Sequence, residues 1–273
     1  MVRHMHAYMV PTSHGMIAVR DSGTGSSSVI LIHGNSSSSA MFQPQLDSAA
    51  LARHRLLAID LPGHGASADA TQPERTYTRP GFADTLAEVL SHIRVTDPVL
   101  LGWSLGGHIA LELAPRLPSV RGLMICGAPP VGRAMAEGFQ PGSAVRYGSR
   151  EKLSKEDLEA FGLAIFGQTL DAPLRAAMAR ADGRARRIMF EAARAGTGIN
   201  QRQVAEHFAK PLAVVNGAAD TMINLDYCDG IAYANLWSGQ CHRLPGAGHA
   251  PFREQPAAFN TLLARFLADI EAA

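Results

Sequence analysis

Val99-Leu100-Leu101-Gly102-Trp103-Ser104-Leu105-Gly106-Gly107 is the stretch from which the fold is read. An apolar run leads directly into Gly-x-Ser-x-Gly and then into a helix-forming segment. That order describes a strand, a sharp turn that pushes one hydroxyl out of the backbone at the end of a sheet, and a helix. The glycines have a physical job. A serine on a strained turn needs neighbours without Cβ, so that strand and helix can approach closely.

Outward from this turn, other short apolar runs read as strands buried on both faces: Val29-Ile30-Leu31-Ile32, Leu56-Leu57-Ala58-Ile59, Gly122-Leu123-Met124-Ile125-Cys126 and Leu212-Ala213-Val214-Val215. Tyr8-Met9-Val10 and Ile17-Ala18-Val19 flank a His14-Gly15 turn and predict a hairpin. The Ser22 to Ser28 stretch is a loop; it holds a Gly-x-Gly but no helix follows, so a dinucleotide fingerprint is not expected. Helical periodicity runs from Gly81 to Ile93 and from Leu105 to Leu117. Buried strands alternating with helices imply an α/β protein with a mostly parallel sheet and helices on both faces. In such sheets ligands sit beyond the carboxyl ends of the strands.

The alternation breaks between Val131 and Lys210. Ser154-Lys155-Glu156-Asp157 predicts a helix start, after which Leu158, Phe161 and Ile165 share a face; Asp182 predicts a second start. This segment reads as a helical cap, residues 131–210, inserted into a core formed by residues 1–130 and 211–273.

The totals agree with a single globular core. The chain has 273 residues, 47% of them hydrophobic and 18% charged, and a formal net charge of +1. That charge gives no reason to expect nucleic acid or an anionic membrane as partner. Met1 to Gly15 has no long apolar stretch after a basic start, so a signal peptide is not expected. No uncharged apolar run approaches the ~20 residues needed to span a bilayer. Cys126, Cys228 and Cys241 form no C-x-x-C pair and predict reduced thiols in a cytoplasmic protein. A zinc site is not expected: the one His-x-His, His4-Met5-His6, lacks a following Asp-His.

A serine nucleophile needs a base, and the base needs an orienting acid. After a Gly-x-Ser-x-Gly turn the acid follows the serine and the histidine comes last. Asp220 lies just past the strand Leu212 to Val215 and is the first candidate; Asp226 and Asp229, on a following helix, are the others. The last histidine is His249, on the tight loop Pro245-Gly246-Ala247-Gly248-His249-Ala250-Pro251. The oxyanion hole needs backbone N–H groups aimed at the developing charge. Leu105, after the serine, supplies one; Asn35, in the loop His33-Gly34-Asn35, supplies the other, with Gly34 letting the backbone approach a substrate. His33 reads as a structural hydrogen-bonder.

With these residues in place the chain resembles the α/β-hydrolase family. The resemblance rests on His33-Gly34-Asn35, Asp60-Leu61-Pro62-Gly63-His64-Gly65-Ala66-Ser67, Gly102 to Gly107, Asp220 and Gly248-His249. It implies an eight-stranded, mostly parallel sheet with a cap after the sixth strand. A narrower resemblance is to the metal-independent N-acyl-homoserine lactonases of that fold. It is carried by His33 to Ser38, Gly102 to Ile109, Asp182 to Glu191, Asn235-Leu236-Trp237 and Gly248 to Glu254. It implies a serine hydrolase with Ser104, His249 and Asp220 as catalytic residues, no cofactor and no metal, and a small ester or lactone with an acyl chain as substrate. No obligate protein partner is implied.

Two positions depart from the narrower pattern. The acid is Asp220 where those lactonases carry glutamate, and Phe161 stands at the place of a substrate-binding cap tyrosine. Phe161, Ile165, Phe166, Met178, Met189 and Phe190 are candidates for an acyl-chain pocket, of which two or three should touch substrate, and Trp103 is a candidate wall. Arg184, Arg186 and Arg187 read as a solvated helix face. The alternatives are a general carboxylesterase of this fold and, from another class, a ligand-binding receptor that kept the scaffold without turnover.

Overall fold

The computed structural model describes residues 5–273. Eight strands, β1 (His6–Thr12), β2 (Gly15–Asp21), β3 (Ser28–Ile32), β4 (Arg55–Ile59), β5 (Val99–Trp103), β6 (Gly122–Cys126), β7 (Leu212–Gly217) and β8 (His242–Leu244), form one sheet in the order β1-β2-β4-β3-β5-β6-β7-β8. β1 and β2 pair antiparallel, as do β2 and β4, and every other pairing is parallel. His4 lies outside the described residues; His6 opens β1.

The α-helices of five or more residues are α1 (Arg79–His92), α2 (Leu105–Leu113), α3 (Lys155–Phe166), α4 (Ala172–Arg180), α5 (Gly183–Arg194), α6 (Gln201–His207), α7 (Leu225–Asp229) and α8 (Pro256–Ala272). Side chains alternate across the sheet with the two-residue period of a strand. Leu31, Leu101, Met124 and Ala213 pack with Phe259, Leu263 and Phe266 of α8. Ile30, Leu100, Ile125 and Val214 pack on the other face with Phe82 and Leu86 of α1 and Ile109 and Leu113 of α2. Both faces are covered, which is why the central strands are apolar runs rather than alternating ones.

Local chemistry sets the helix ends. The Thr78 hydroxyl accepts from the Gly81 N–H at 3.0 Å and starts α1. α2 stops at Leu113, short of the expected Leu117, because Pro115 cannot donate and the chain tightens into a 3₁₀ turn over Ala114–Arg116. In the strandless stretch between β6 and β7, Ser154 caps α3 by accepting from Asp157 N–H at 3.1 Å, and Asp182 caps α5 by accepting from Arg184 N–H at 3.0 Å. α4, capped by Asp171 with Pro173 in its first turn, was not singled out by the sequence.

Two expectations need correction. Arg186 is not on a solvated face: it is 5% exposed, whereas Arg184 pairs with Asp182 and Arg187 with Glu151 and Glu191 at the surface. The reason is that Arg186 reaches backbone carbonyls and a hydroxyl contributed by other segments. Phe166 and Met178 belong to the packed core rather than to a pocket wall, and Phe166 lies 5.6 Å from the Trp103 ring, centroid to centroid.

The approach of α2 to the sheet depends on bare glycine. A Cβ on Gly106 would overlap the carbonyl oxygens of Ile32 and His33. Gly106→Ala is therefore expected to destabilise the protein by about 3 kcal/mol or more, the upper range for overpacking against backbone. Urea unfolding checks this; a loss under about 1 kcal/mol would mean that α2 can shift.

Candidate active site

Ser104 caps α2 with φ 53° and ψ −121°, a left-handed backbone that a serine adopts only under constraint. The constraint is visible. Its N–H donates to Cys126 O at 2.8 Å, and its carbonyl accepts from Gly107 and His108 N–H at 2.9 and 3.2 Å. The turn sits where β5 ends and α2 begins, so the hydroxyl stands at the carboxyl end of the sheet. Helix geometry leaves the Leu105 N–H, the first of α2, without an intrahelical acceptor.

Asp220 follows β7 and His249 follows β8. The Asp220 Oδ2 and His249 Nδ1 are 2.8 Å apart, and Asp220 Oδ1 accepts from Met222 and Ile223 N–H at 2.8 and 3.3 Å. Burial works to raise the Asp220 carboxyl, but the His249 charge and these three hydrogen bonds together hold it below the usual carboxylate range. A carboxylate on Nδ1 leaves Nε2 as the open position of the imidazole. That nitrogen is buried without a hydrogen-bond partner, and His249 lines the same cavity as Ser104. The loop carrying His249 is pinned. Glu254 accepts from Gly248 and Ala250 N–H at 2.9 and 3.0 Å, and Trp103 Nε1–H donates to His249 O at 2.7 Å. Asp226 and Asp229 lie on α7, where both pair with Arg243 at 2.7 and 2.5 Å, away from His249.

The loop after β3 is tied to the loop after β4 by two buried histidines. His33 Nε2 accepts from Leu61 N–H at 3.0 Å, so its Nδ1–H donates to Gly34 O at 2.7 Å. His64 Nε2 accepts from Ser36 N–H at 3.2 Å, and its Nδ1–H donates to Pro62 O at 2.9 Å. Asp60 adds bonds from Ser39 and Ala66 N–H at 2.6 and 2.9 Å. Gly34 packs tightly against the serine turn: a Cβ there would come within 2.6 Å of the Trp103 ring and 3.1 Å of Ser104 Cβ. Asn35 follows it and lines the cavity, whereas Gly34 itself does not.

Burial keeps both histidines neutral, His33 below its ordinary value and His64 down to about 3. The unfolded chain binds protons at these imidazoles below about pH 6.5, whereas in the native protein His64 does so only at about pH 3 and His33 only below its ordinary range. Unfolding is therefore favoured progressively as pH falls from about 7 towards 4. Urea unfolding at pH 7.5 and pH 5 is expected to show lower stability at pH 5. His64→Gln, which keeps an acceptor for Ser36 and a donor for Pro62, should shrink that difference; an unchanged difference would assign it to other groups.

A cavity of about 1180 Å³ opens over Ser104 and His249. Its floor is Asn35, Trp103, Ser104, Leu105 and His249; Phe161, Ile165, Met189 and Phe190 supply apolar wall from α3 and α5. The expected site residues Ser104, His249, Asn35, Leu105, Trp103, Phe161 and Met189 thus come together, and Asp220 stands behind His249. Sequence reasoning missed Arg79 and His108 on the wall. His108 lies one helical turn beyond Ser104, a spacing that could have revealed it. Its Nδ1 bonds Gln201 Oε1 at 2.7 Å, and burial, with Arg79 nearby, pushes its pKa down to about 4. Among the described residues no three His, Cys, Asp or Glu side chains cluster as a metal-binding set, and no helix is long and apolar enough to cross a membrane.

Comparison with known proteins adds three findings. The profile described as the alpha/beta hydrolase family matches residues 29–262. The pimeloyl-[acyl-carrier protein] methyl ester esterase of Xanthomonas oryzae pv. oryzae (strain MAFF 311018) is 29% identical over 262 residues, covering 89% of this chain and 95% of that protein. Crystal structures of the N-acyl homoserine lactonase AidH are similar at 45% identity and a TM-score of 0.95. The complex with N-butanoyl homoserine covers 97% of both chains. A mutant of that lactonase complexed with N-hexanoyl homoserine lactone covers 97% of this chain and 98% of its own.

Proposed function

The chain belongs to the alpha/beta hydrolase family, and from that premise we propose that it is a serine hydrolase that opens the lactone ring of N-acyl-homoserine lactones without a metal. The observation that carries this reading is the extent of the match to the lactonase: 97% of the chain at 45% identity, which leaves only a few residues unmatched and so takes in residues 131–210. These residues act as a cap over the cavity. Caps differ more than cores within a shared fold, because connections tolerate change that packed strands do not.

In this reading His249 Nε2 takes the proton of Ser104, whose oxygen attacks the lactone carbonyl. The Asn35 and Leu105 N–H groups hold the oxyanion. Each donor of this kind is worth about 3–4 kcal/mol in the transition state. Collapse breaks the ring C–O bond, and the departing oxygen takes the proton back from His249. The product is an ester of Ser104 whose leaving hydroxyl stays tethered to the acyl group. Water deprotonated by His249 then releases N-acyl-homoserine as a carboxylate. Asp220 fixes the imidazole tautomer and stabilises its charged form. The free thiols Cys126, Cys228 and Cys241 support a reducing, cytoplasmic setting.

A second reading, an esterase for substrates with an anionic group, is favoured by the lining of the cavity. Arg79, Arg133, Arg146 and Arg194 contribute to it, and no Asp, Glu or Lys does. An N-acyl-homoserine lactone is neutral and makes no use of that charge. The test runs purified protein with EDTA against acyl-homoserine lactones of several chain lengths, methyl half-esters of dicarboxylic acids and p-nitrophenyl acetate, following products by mass-resolved chromatography. Ring opening that survives EDTA, with kcat/KM above that for the half-esters, is expected. Ester cleavage without ring opening would overturn the lactonase reading in favour of the second one.

A further inference from the structure

Arg186 of α5 is buried, and every guanidinium nitrogen is engaged. Nε–H donates to Arg150 O at 2.8 Å, Nη2–H to Glu151 O at 3.0 Å and Nη1–H to Ser36 Oγ at 3.0 Å. Two arms stay within the insertion. The third crosses to the loop after β3, a partner 150 positions away in sequence. A buried guanidinium without a carboxylate contact is costly to desolvate, so the fold keeps it against a standing penalty.

Ser36 is an unusual recipient. It is fully buried, and its φ of 54° lies in the left-handed region where a serine is strained. Its backbone N–H is taken by His64 Nε2 at 3.2 Å, and its hydroxyl proton is donated to Asn35 Oδ1 at 3.0 Å. The other end of the Asn35 amide donates to Gly148 O at 3.0 Å, again from the insertion. Asn35 is therefore gripped at both side-chain atoms, once directly by the insertion and once through the Arg186–Ser36 link. Gly148 leaves room for this grip, because a Cβ there would stand 3.0 Å from Asn35 Nδ2.

We propose that Arg186 is a positioning residue for the oxyanion hole: through Ser36 it holds Asn35 in the orientation that presents its N–H to the reacting carbonyl. The hole is complete only while α5 is docked on the core. The insertion then contributes to the chemical step as well as to the acyl-chain wall. This inference rests on the reading of Ser104 as nucleophile and Asn35 as oxyanion donor.

The test measures kcat, KM and melting temperature for wild type, Ser36→Gly, Arg186→Met, Arg186→Lys and Ser104→Ala. The substrates are N-hexanoyl-homoserine lactone and p-nitrophenyl acetate, whose two-carbon acyl group needs no long apolar wall. Ser36→Gly decides the matter if Arg186→Met fails to fold, because glycine adopts the observed φ without strain. Ser36→Gly is expected to fold and to melt within several degrees of wild type, because relief of the left-handed strain offsets part of the cost of leaving Arg186 Nη1 and Asn35 Oδ1 unpaired. It is expected to lose roughly 10- to 100-fold in kcat on both substrates, with KM within about threefold, as for partial loss of an oxyanion donor. Arg186→Met should lose kcat similarly, and Arg186→Lys should recover part of it. A folded Ser36→Gly with wild-type kcat on both substrates would overturn the proposal, as would an effect confined to KM for the lactone. In either case an inactive Ser104→Ala leaves the nucleophile reading standing; an active Ser104→Ala removes that reading and this proposal with it.

Discussion

Ser104→Ala is expected to lower kcat for lactone and ester substrates by roughly 10⁴–10⁶-fold, the range seen when a serine nucleophile is removed from an otherwise intact site. The fold should not suffer. The left-handed turn is held by backbone hydrogen bonds to Cys126, Gly107 and His108, none of which uses the hydroxyl. Circular dichroism and melting should match wild type within a few degrees while turnover disappears. The residual rate above water should be that of the oxyanion donors and binding alone. A variant retaining more than about a tenth of wild-type activity would show that the chemistry runs elsewhere in the cavity.

Asp220→Asn is expected to cost about 10²–10⁴-fold in kcat with little change in KM. The amide is nearly isosteric, so the 2.8 Å contact to His249 Nδ1 can persist. Its hydrogen-bonding sense can reverse, because an amide N–H facing Nδ1 puts the imidazole proton on Nε2, where it cannot accept from Ser104. The amide also removes the negative charge that stabilises imidazolium. Steady-state kinetics at saturating substrate measure the loss. A change confined to KM would mean that Asp220 shapes the cavity without orienting the base. Asp220→Glu is the informative companion. The Oδ1 bonds to Met222 and Ile223 fix the present carboxylate tightly, so a longer side chain should recover only part of the activity.

Much of this site was legible in the sequence because its parts sit at places that local chemistry marks. Val99 to Leu101 is a run buried on both faces, and Gly102 and Gly106 stand where a Cβ would strike backbone. Asp220 lies beyond the end of a buried strand, and His249 lies on a Gly-rich loop. Such features are written within ten residues of chain. What stayed hidden depends on contacts between distant segments. Arg186 looked solvated because it stands between Arg184 and Arg187, and only its partners Arg150, Glu151 and Ser36 explain its burial. Arg79 and His108 become wall residues only once the chain around Gly198 and Asn200 reaches the same cavity. Phe166 and Phe161 are equally apolar on the same helix, yet one fills the core beneath Trp103 and the other lines the cavity. Helical periodicity separates buried from exposed positions; it does not separate core from pocket.

The central claim, that lactone opening runs through the Ser104 oxygen, is tested most directly by titrating the protein with a fluorophosphonate while following ring opening of N-hexanoyl-homoserine lactone. One adduct per chain is predicted, located by peptide mass on the segment containing Ser104, with activity falling in proportion to the modified fraction. Ring opening that persists in fully modified protein would contradict the claim.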